Sequence, residues 1–359
     1  MQSIIDEPVR GVFGDFSWLR LSGLDACRMF ARGELPAPPI HHLTGLTPTE
    51  AGLGTMTFAM PVTEWLQDSV GIIWGGVYAF LVDAPISMAL QTGLPPGKVL
   101  TTAELSINYL RPASVRSERL VARGRTVYLG RDVGVSEATV EDSAGRTMAH
   151  ATTRCVVLDV PYDPDATLAP PLAPISDPPD PYLRTPAPES MLGPSIWEGD
   201  RVATQRRIVS GEIPPAPVQL LTGVRAILAE EGTIHFSMPA SPWFSAGGLN
   251  LYGGSIAMLC DTALTAAVWS TLTPDEAAAT LDLQVRFLRP VPVDGTTLTA
   301  VGTVRHRGRT IRLAEVEVFD SVGRRVALGM GSALVIPGGI QALKMGRLVE
   351  DIFDLADSG

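Results

Sequence analysis

Residues 75–85 read GGVYAFLVDAP, and residues 253–263, 178 positions further on, read GGSIAMLCDTA. Each stretch opens on a glycine pair, runs through apolar residues and reaches one aspartate, Asp83 or Asp261. A carboxylate in so apolar a segment is costly unless it is hydrogen-bonded, neutralised or hydrated. Meeting that cost twice at one register points to a cleft. The plainer alternative is that each aspartate caps nearby backbone or holds an arginine for stability.

The same offset extends well beyond these stretches. Gly33-Glu34 matches Gly211-Glu212, Phe58 and Met60 match Phe236 and Met238, and Trp65 matches Trp243. The tripeptide LRP at Leu110 recurs at Leu288, and Asp142-Ser143 recurs as Asp320-Ser321. One register held this long identifies an internal duplication. The chain therefore divides into a first unit with its approach segment (1–159), a proline-rich connector (160–190), a second unit (191–337) and a tail (338–359). The connector's prolines forbid helix or central strand and predict an extended, semi-rigid link. Apolar residues at helical spacing predict an amphipathic helix in the tail.

Within each unit an apolar strand (residues 54–61 in the first) precedes the glycine-led helix, which runs to about Gln91. Segments with alternating polarity and turn signals follow, among them LVARGRTVYL and VGVSEATVED, with DSAGR as a hairpin turn. One helix apolar on all sides followed by an antiparallel meander predicts an α+β unit in which the sheet wraps the helix.

Composition narrows the function. The chain of 359 residues is 45% hydrophobic and 18% charged, as a globular protein should be, and its net charge of −10 argues against nucleic-acid binding. Three dispersed cysteines and five histidines form neither a C-x-x-C nor an H-E-x-x-H pattern, so no metal site is expected. The N-terminus lacks a secretory pattern and no apolar run is long enough to span a bilayer, so a cytoplasmic location without membrane partners is expected.

The motif G-G-x(6)-D in a helix, with LRP in the strand that follows, resembles the hotdog-fold thioesterases of the PaaI-like and 4-hydroxybenzoyl-CoA thioesterase group, over residues 43–158 and 221–336. The resemblance implies a double hotdog: two tandem units whose sheets join into one, with acyl-CoA sites between them and coenzyme A present only as part of the substrate. It implies that Asp83 and Asp261 are the carboxylates that attack the thioester or activate water. Thr102 and Thr280, each ten residues before the proline of LRP, would position that water, although threonine also suits strands on structural grounds.

Helix N-terminal N–H groups favour negative charge, so Gly75-Gly76 and Gly253-Gly254 are candidates for an oxyanion hole, while close packing also calls for glycine. Sites between units would set Gly75-Gly76 against Asp261 and Gly253-Gly254 against Asp83. The histidine that usually precedes the glycine pair is here Trp74 or Tyr252, and the polar residue six places earlier is Asp68 or Ala246. Asn250 is a candidate polar substitute in the second copy. Arg131 and Arg309 are candidates for the coenzyme A phosphates, with Arg111 and Arg289 as alternatives. Because Asp261-Thr262-Ala263 follows the family's D-x-A where Asp83-Ala84-Pro85 does not, the Asp261 site is the expected active one. The leading expectation is an acyl-CoA thioesterase; the second is an acyl-thioester-binding protein without catalysis. Further pairing into a homodimer is left open.

Overall fold

The computed structural model describes residues 3–173 and 177–347. In the first unit, helices α1 (Gly23–Ala31) and α2 (Pro39–Thr44) precede strands β1 (Thr47–Gly52) and β2 (Thr55–Pro61). The long helix α3 (Gly76–Gln91) follows, then β3 (Lys98–Tyr109), β4 (Arg119–Leu129), β5 (Val133–Asp142) and β6 (Thr147–Asp159). The second unit repeats this order with α4 (Arg201–Val209), α5 (Pro217–Thr222), β7 (Arg225–Glu230), β8 (Thr233–Pro239) and α6 (Gly253–Trp269). It ends with β9 (Ala277–Phe287), β10 (Thr297–Arg307), β11 (Ile311–Phe319) and β12 (Arg325–Ile336), before a short helix α7 (Gly339–Lys344). Of the predicted tail helix, residues 348–359 lie outside the described residues.

Twelve strands form one antiparallel sheet in the order β1-β2-β4-β5-β6-β3-β9-β12-β11-β10-β8-β7. The second half of this order mirrors the first, as expected for a double hotdog. The units join where β3 pairs with β9, from Glu104 opposite Arg286 to Asn108 opposite Asp282. Ser106 faces Gln284, its own counterpart at the 178 offset, so a pseudo-twofold axis passes between them. An ion pair of 2.6 Å from Arg286 to Glu104 crosses the join on the outer face.

Each half-sheet curls around one helix. Burial alternates along the strands, as in β5 and β11, so one face is apolar and inward. Residues 76–86 of α3 and 254–264 of α6 are buried without interruption, which accounts for helices with no polar face. The two helices meet through their second glycines. A Cβ on Gly76 would lie 2.9 Å from the Met258 Cα, and one on Gly254 would lie 2.7 Å from the Phe80 carbonyl oxygen. Met258 and Phe80 are themselves counterparts, so the contact is made twice about the same axis. The glycines serve close helix–helix packing here.

Two features escaped the sequence reading. Helices α1 and α4 fall in the approach segments, capped by Ser22 and Asp200 through the N–H groups of Asp25 and Ala203. The edge strands β1 and β7 are short, and β1 carries Pro48, which an edge position tolerates. The matched tryptophans serve as anchors: the Trp65 indole N–H donates to the Arg184 carbonyl (2.8 Å) and that of Trp243 to the Glu7 carbonyl (3.2 Å). Arg184 and Glu7 are ion-paired at 2.7 Å, so the connector is tied to the N-terminal segment across the molecule. Among the described residues no helix is long and apolar enough to cross a membrane.

Substituting Gly254 by alanine should cost about 1–3 kcal/mol, because the helix contact has no room for a methyl group. Gly248→Ala, with nothing within 4 Å of its Cβ position, should leave stability unchanged. Urea unfolding midpoints of the two variants are the check.

Candidate active site at the seam between units

The helix crossing sets the amino end of each helix over the aspartate of the other. A Cβ built on Gly75 would sit 3.0 Å from Asp261 Oδ2, and one on Gly253 would sit 2.7 Å from Asp83 Oδ2. Side chains larger than hydrogen at the first glycine would collide with the carboxylate, so each glycine pair divides its work: the first member makes room for the acid, the second for the opposing helix. Both aspartates are 2% exposed, and neither is in an ion pair among the described residues. Burial raises each carboxyl from its ordinary value of 3.8 to about 6, although hydrogen bonds to each favour the ionised form.

The two acids are held differently. Asp83 is tied at both oxygens: the Thr102 hydroxyl donates to Oδ1 (2.9 Å) and the Gly254 N–H donates to Oδ2 (2.9 Å). Asp261 accepts at Oδ1 from the Tyr109 hydroxyl (3.2 Å), while the Gly76 N–H and the Thr280 hydroxyl face the carboxylate and favour its charge. Thr280 Oγ1 lies 2.9 Å from Thr265 Oγ1, and the matching pair, Thr102 and Ser87, is 3.4 Å apart. Tyr109 is replaced by Phe287 in the second copy, which has no hydroxyl to give Asp83.

A cavity of about 210 Å³ opens on Asp261 and is lined mostly by apolar side chains. Gly75 and Trp74 form its wall on the first unit's side, Thr262, Thr265 and Thr280 on the second unit's side, and Tyr78 and Tyr109 stand beside the acid. The Tyr78 hydroxyl donates to the Arg111 carbonyl (2.9 Å), and the two phenol rings meet edge to face. Asp68 also lines the cavity, but its Oδ1 accepts from the N–H groups of Val70 and Ile72 (2.9 Å each), fixing the turn that leads into Trp74. Burial raises its carboxyl to about 6 as well.

Other expected site residues stand elsewhere. Tyr252 is buried; its hydroxyl donates to the Phe80 carbonyl (2.6 Å) and its ring packs edge to face on Phe80. It reinforces the helix crossing beside Asp83. Asn250 is exposed and joined by a backbone bridge to Pro292. Arg131 is exposed beside Asp132 (3.3 Å), and Arg309 is exposed in the turn after β10. None of these three lines the cavity on Asp261, whose wall carries Arg111; Arg131 and Arg309 sit in the turns that follow β4 and β10. Cys260 is fully buried with its thiol pushed up by burial, as suits a core residue. The contributions of Tyr109 and Thr265, and the place of Tyr78 against Tyr109, do not follow from the motifs. The signal was available as a departure from the repeat, since Tyr109 and Tyr78 match Phe287 and Ile256.

Comparison with known proteins agrees with this architecture. The family model described as Thioesterase superfamily matches twice, at residues 70–149 and 249–327. Over 119 residues the chain is 33% identical to the acyl-coenzyme A thioesterase PaaI of Escherichia coli, covering 33% of this chain and 81% of that protein. A putative esterase of Halobacterium salinarum is 32% identical over 113 residues, covering 30% of this chain and 73% of that protein. Among solved structures, the tesB protein MAP1729c of Mycobacterium avium subs paratuberculosis superposes with a TM-score of 0.52 at 15% identity, over 83% of this chain and 98% of that one. A hot dog fold protein of unknown function from Alicyclobacillus acidocaldarius gives 0.51 at 18% identity, over 82% and 97%. The chain belongs to the thioesterase superfamily, as a tandem double hotdog whose two family segments meet at one seam.

Proposed function

We propose that this chain hydrolyses acyl-CoA thioesters at the Asp261 site. The observation that carries the proposal is the cavity in which the amino end of α3 from one unit meets Asp261 and Thr280 from the other. A thioester carbonyl seated at the Gly75-Gly76 end has its developing negative charge next to helix N-terminal N–H groups. Water near Thr280 attacks the carbonyl carbon while the Asp261 carboxylate takes its proton. Collapse of the tetrahedral intermediate breaks the C–S bond, and the departing thiolate takes that proton from Asp261. Tyr109, bonded to Oδ1, favours the ionised carboxylate, and Oδ2 faces the Gly75 end of α3. Arg111, exposed at the cavity wall, is a candidate partner for a coenzyme A phosphate.

A second reading, binding of an acyl thioester without turnover, draws on Trp74 and Tyr252 in place of a polar histidine and on Asp83 being tied at both oxygens. Thiol release from a panel of acyl-CoAs separates the two: stabilisation by the thioesters without release supports the binder.

For hydrolysis, Asp261→Asn should lower the rate by about 10²–10⁴-fold, and Asp83→Asn should leave it close to wild type. An equal loss in both variants overturns the assignment to one site. The rate should fall as pH drops through about 6, where Asp261 takes up its proton. Tyr109→Phe removes a bond that favours the charged form, so the midpoint of that fall should move to higher pH; a change in rate without a moved midpoint would make Tyr109 structural only.

Burial of the acids also has a cost in stability. A folded-state value of about 6 against an ordinary 3.8 means that the fold favours protonated Asp83, so stability declines as pH rises through that interval. Asparagine retains an acceptor for the Gly254 N–H and offers a donor to Thr102. Asp83→Asn should therefore be more stable than wild type at pH 7.5, by up to about 3 kcal/mol, with the difference vanishing near pH 4. Thermal unfolding at the two pH values is the measurement.

A further inference from the structure

The two units use matched helices, α1 and α4, to cover the same flank of their central helices, and they do so at different depths. In the first unit α1 begins at Gly23, whose N–H donates to the Leu94 carbonyl (2.9 Å). A Cβ there would lie 1.8 Å from the Gln91 carbonyl oxygen, so the helix is pressed onto the end of α3. The counterpart of Gly23 is Arg201, and that of Gln91 is Trp269. Arg201 is 2% exposed, and its guanidinium lies over the rings of Trp197 and Trp269, 5.6 and 5.3 Å from their centroids. Its Nη2 donates to the carbonyls of Thr273, Pro274 and Glu276 (3.1, 3.1 and 2.6 Å). Among the described residues Nε and Nη1 have no hydrogen-bond partner, and the indole faces stand in for one.

Trp197 and Trp269 are walls of the cavity that opens on Asp261. Its other walls include Ala266, Ala277, Ala278 and Ala279, where the first unit carries Met88, Val99, Leu100 and Thr101. One further correspondence fixes the comparison: the Gln205 amide donates to the Ala266 carbonyl (3.0 Å), and its counterpart, the Cys27 thiol, faces the Met88 carbonyl (3.8 Å). The backbone frame is conserved between the units, while the space inside it is not.

We propose that Arg201 is a strut that keeps an acyl chamber open in the second unit, and that this chamber with its small alanine walls makes the Asp261 site selective for bulky apolar acyl groups over acetyl. A glycine at this position brings the covering helix against the central one; an arginine packed on a pair of indoles that touch each other at 5.3 Å holds it away, and the alanines leave the gap unfilled. The selectivity rests on the thioesterase reading only for the identity of the chamber's occupant.

The test uses non-hydrolysable thioether analogues of acetyl-CoA and hexanoyl-CoA, so that binding is read without turnover, together with thiol release from the two matching thioesters. Calorimetry on the full chain should give hexanoyl binding about 100-fold tighter than acetyl, as burial of four further methylenes predicts. Ala266→Met and Ala278→Leu import the first unit's residues; each should reduce that ratio at least about tenfold while acetyl binding stays near wild type. Arg201→Ala should reduce the ratio likewise, as the covering helix settles. An unchanged hexanoyl-to-acetyl ratio in the filled variants overturns the chamber, and so does a wild-type ratio near one. If the analogues bind with the expected ratio and no thiol is released, the chamber stands and hydrolysis fails. If thiol is released with a chain-length preference that the filled variants do not alter, hydrolysis stands and the chamber fails.

Discussion

The close approach of two apolar helices through Gly76 and Gly254 governs the rest of the molecule. Neither helix has a polar face, so each must be enclosed, and one curled half-sheet leaves a side uncovered that only the other helix fills. Contact at this distance requires glycine. It also fixes where the carboxylates lie, since an acid one turn beyond the crossing on one helix must come under the first turn of the other. Packing and chemistry thus share a cause: the site exists because the core closes this way.

Much of this was legible before any coordinates. The repeat offset gave the two units, apolar helices with alternating strands gave the sheet wrapped around each helix, and the paired GG and D positions gave the crossed arrangement. Proline-rich composition marked the connector. What stayed hidden shared one physical property: it depended on contacts between segments with no periodic pattern. Helix α4 is short and polar on most of its length, so its role rests on the Arg201 side chain, which only the fold brings against two tryptophans. Tyr109 reads as an ordinary strand residue until the seam sets it on Asp261 from the other unit. The arginines beside glycine were drawn from repetition, and repetition there reflects turn geometry.

The two halves differ most where repetition would have made them the same. Backbone elements agree nearly residue for residue, yet the hydroxyl next to one acid is missing at its twin, and alanines stand on one flank where the other carries larger side chains. Tyr252 illustrates the outcome: at the position leading into the glycine pair it locks onto the opposite helix, while Trp74 at the matching position borders the cavity. Such differences leave the framework untouched because they fall on side chains that face the space between layers.

The join itself involves five residue pairs between β3 and β9, centred on Ser106 and Gln284, both polar. Two separate subunits would need such a patch to hold them together at low concentration. Here a tether of some thirty residues, anchored through Arg184 to Trp65 and Glu7, keeps the halves in each other's presence at an effective concentration in the millimolar range. Association is thus intramolecular, and the strands at the axis are relieved of supplying affinity. Of their outward side chains, Glu104 and Arg286 add one ion pair across the join, while Ser106 and Gln284 at its centre bring no charge.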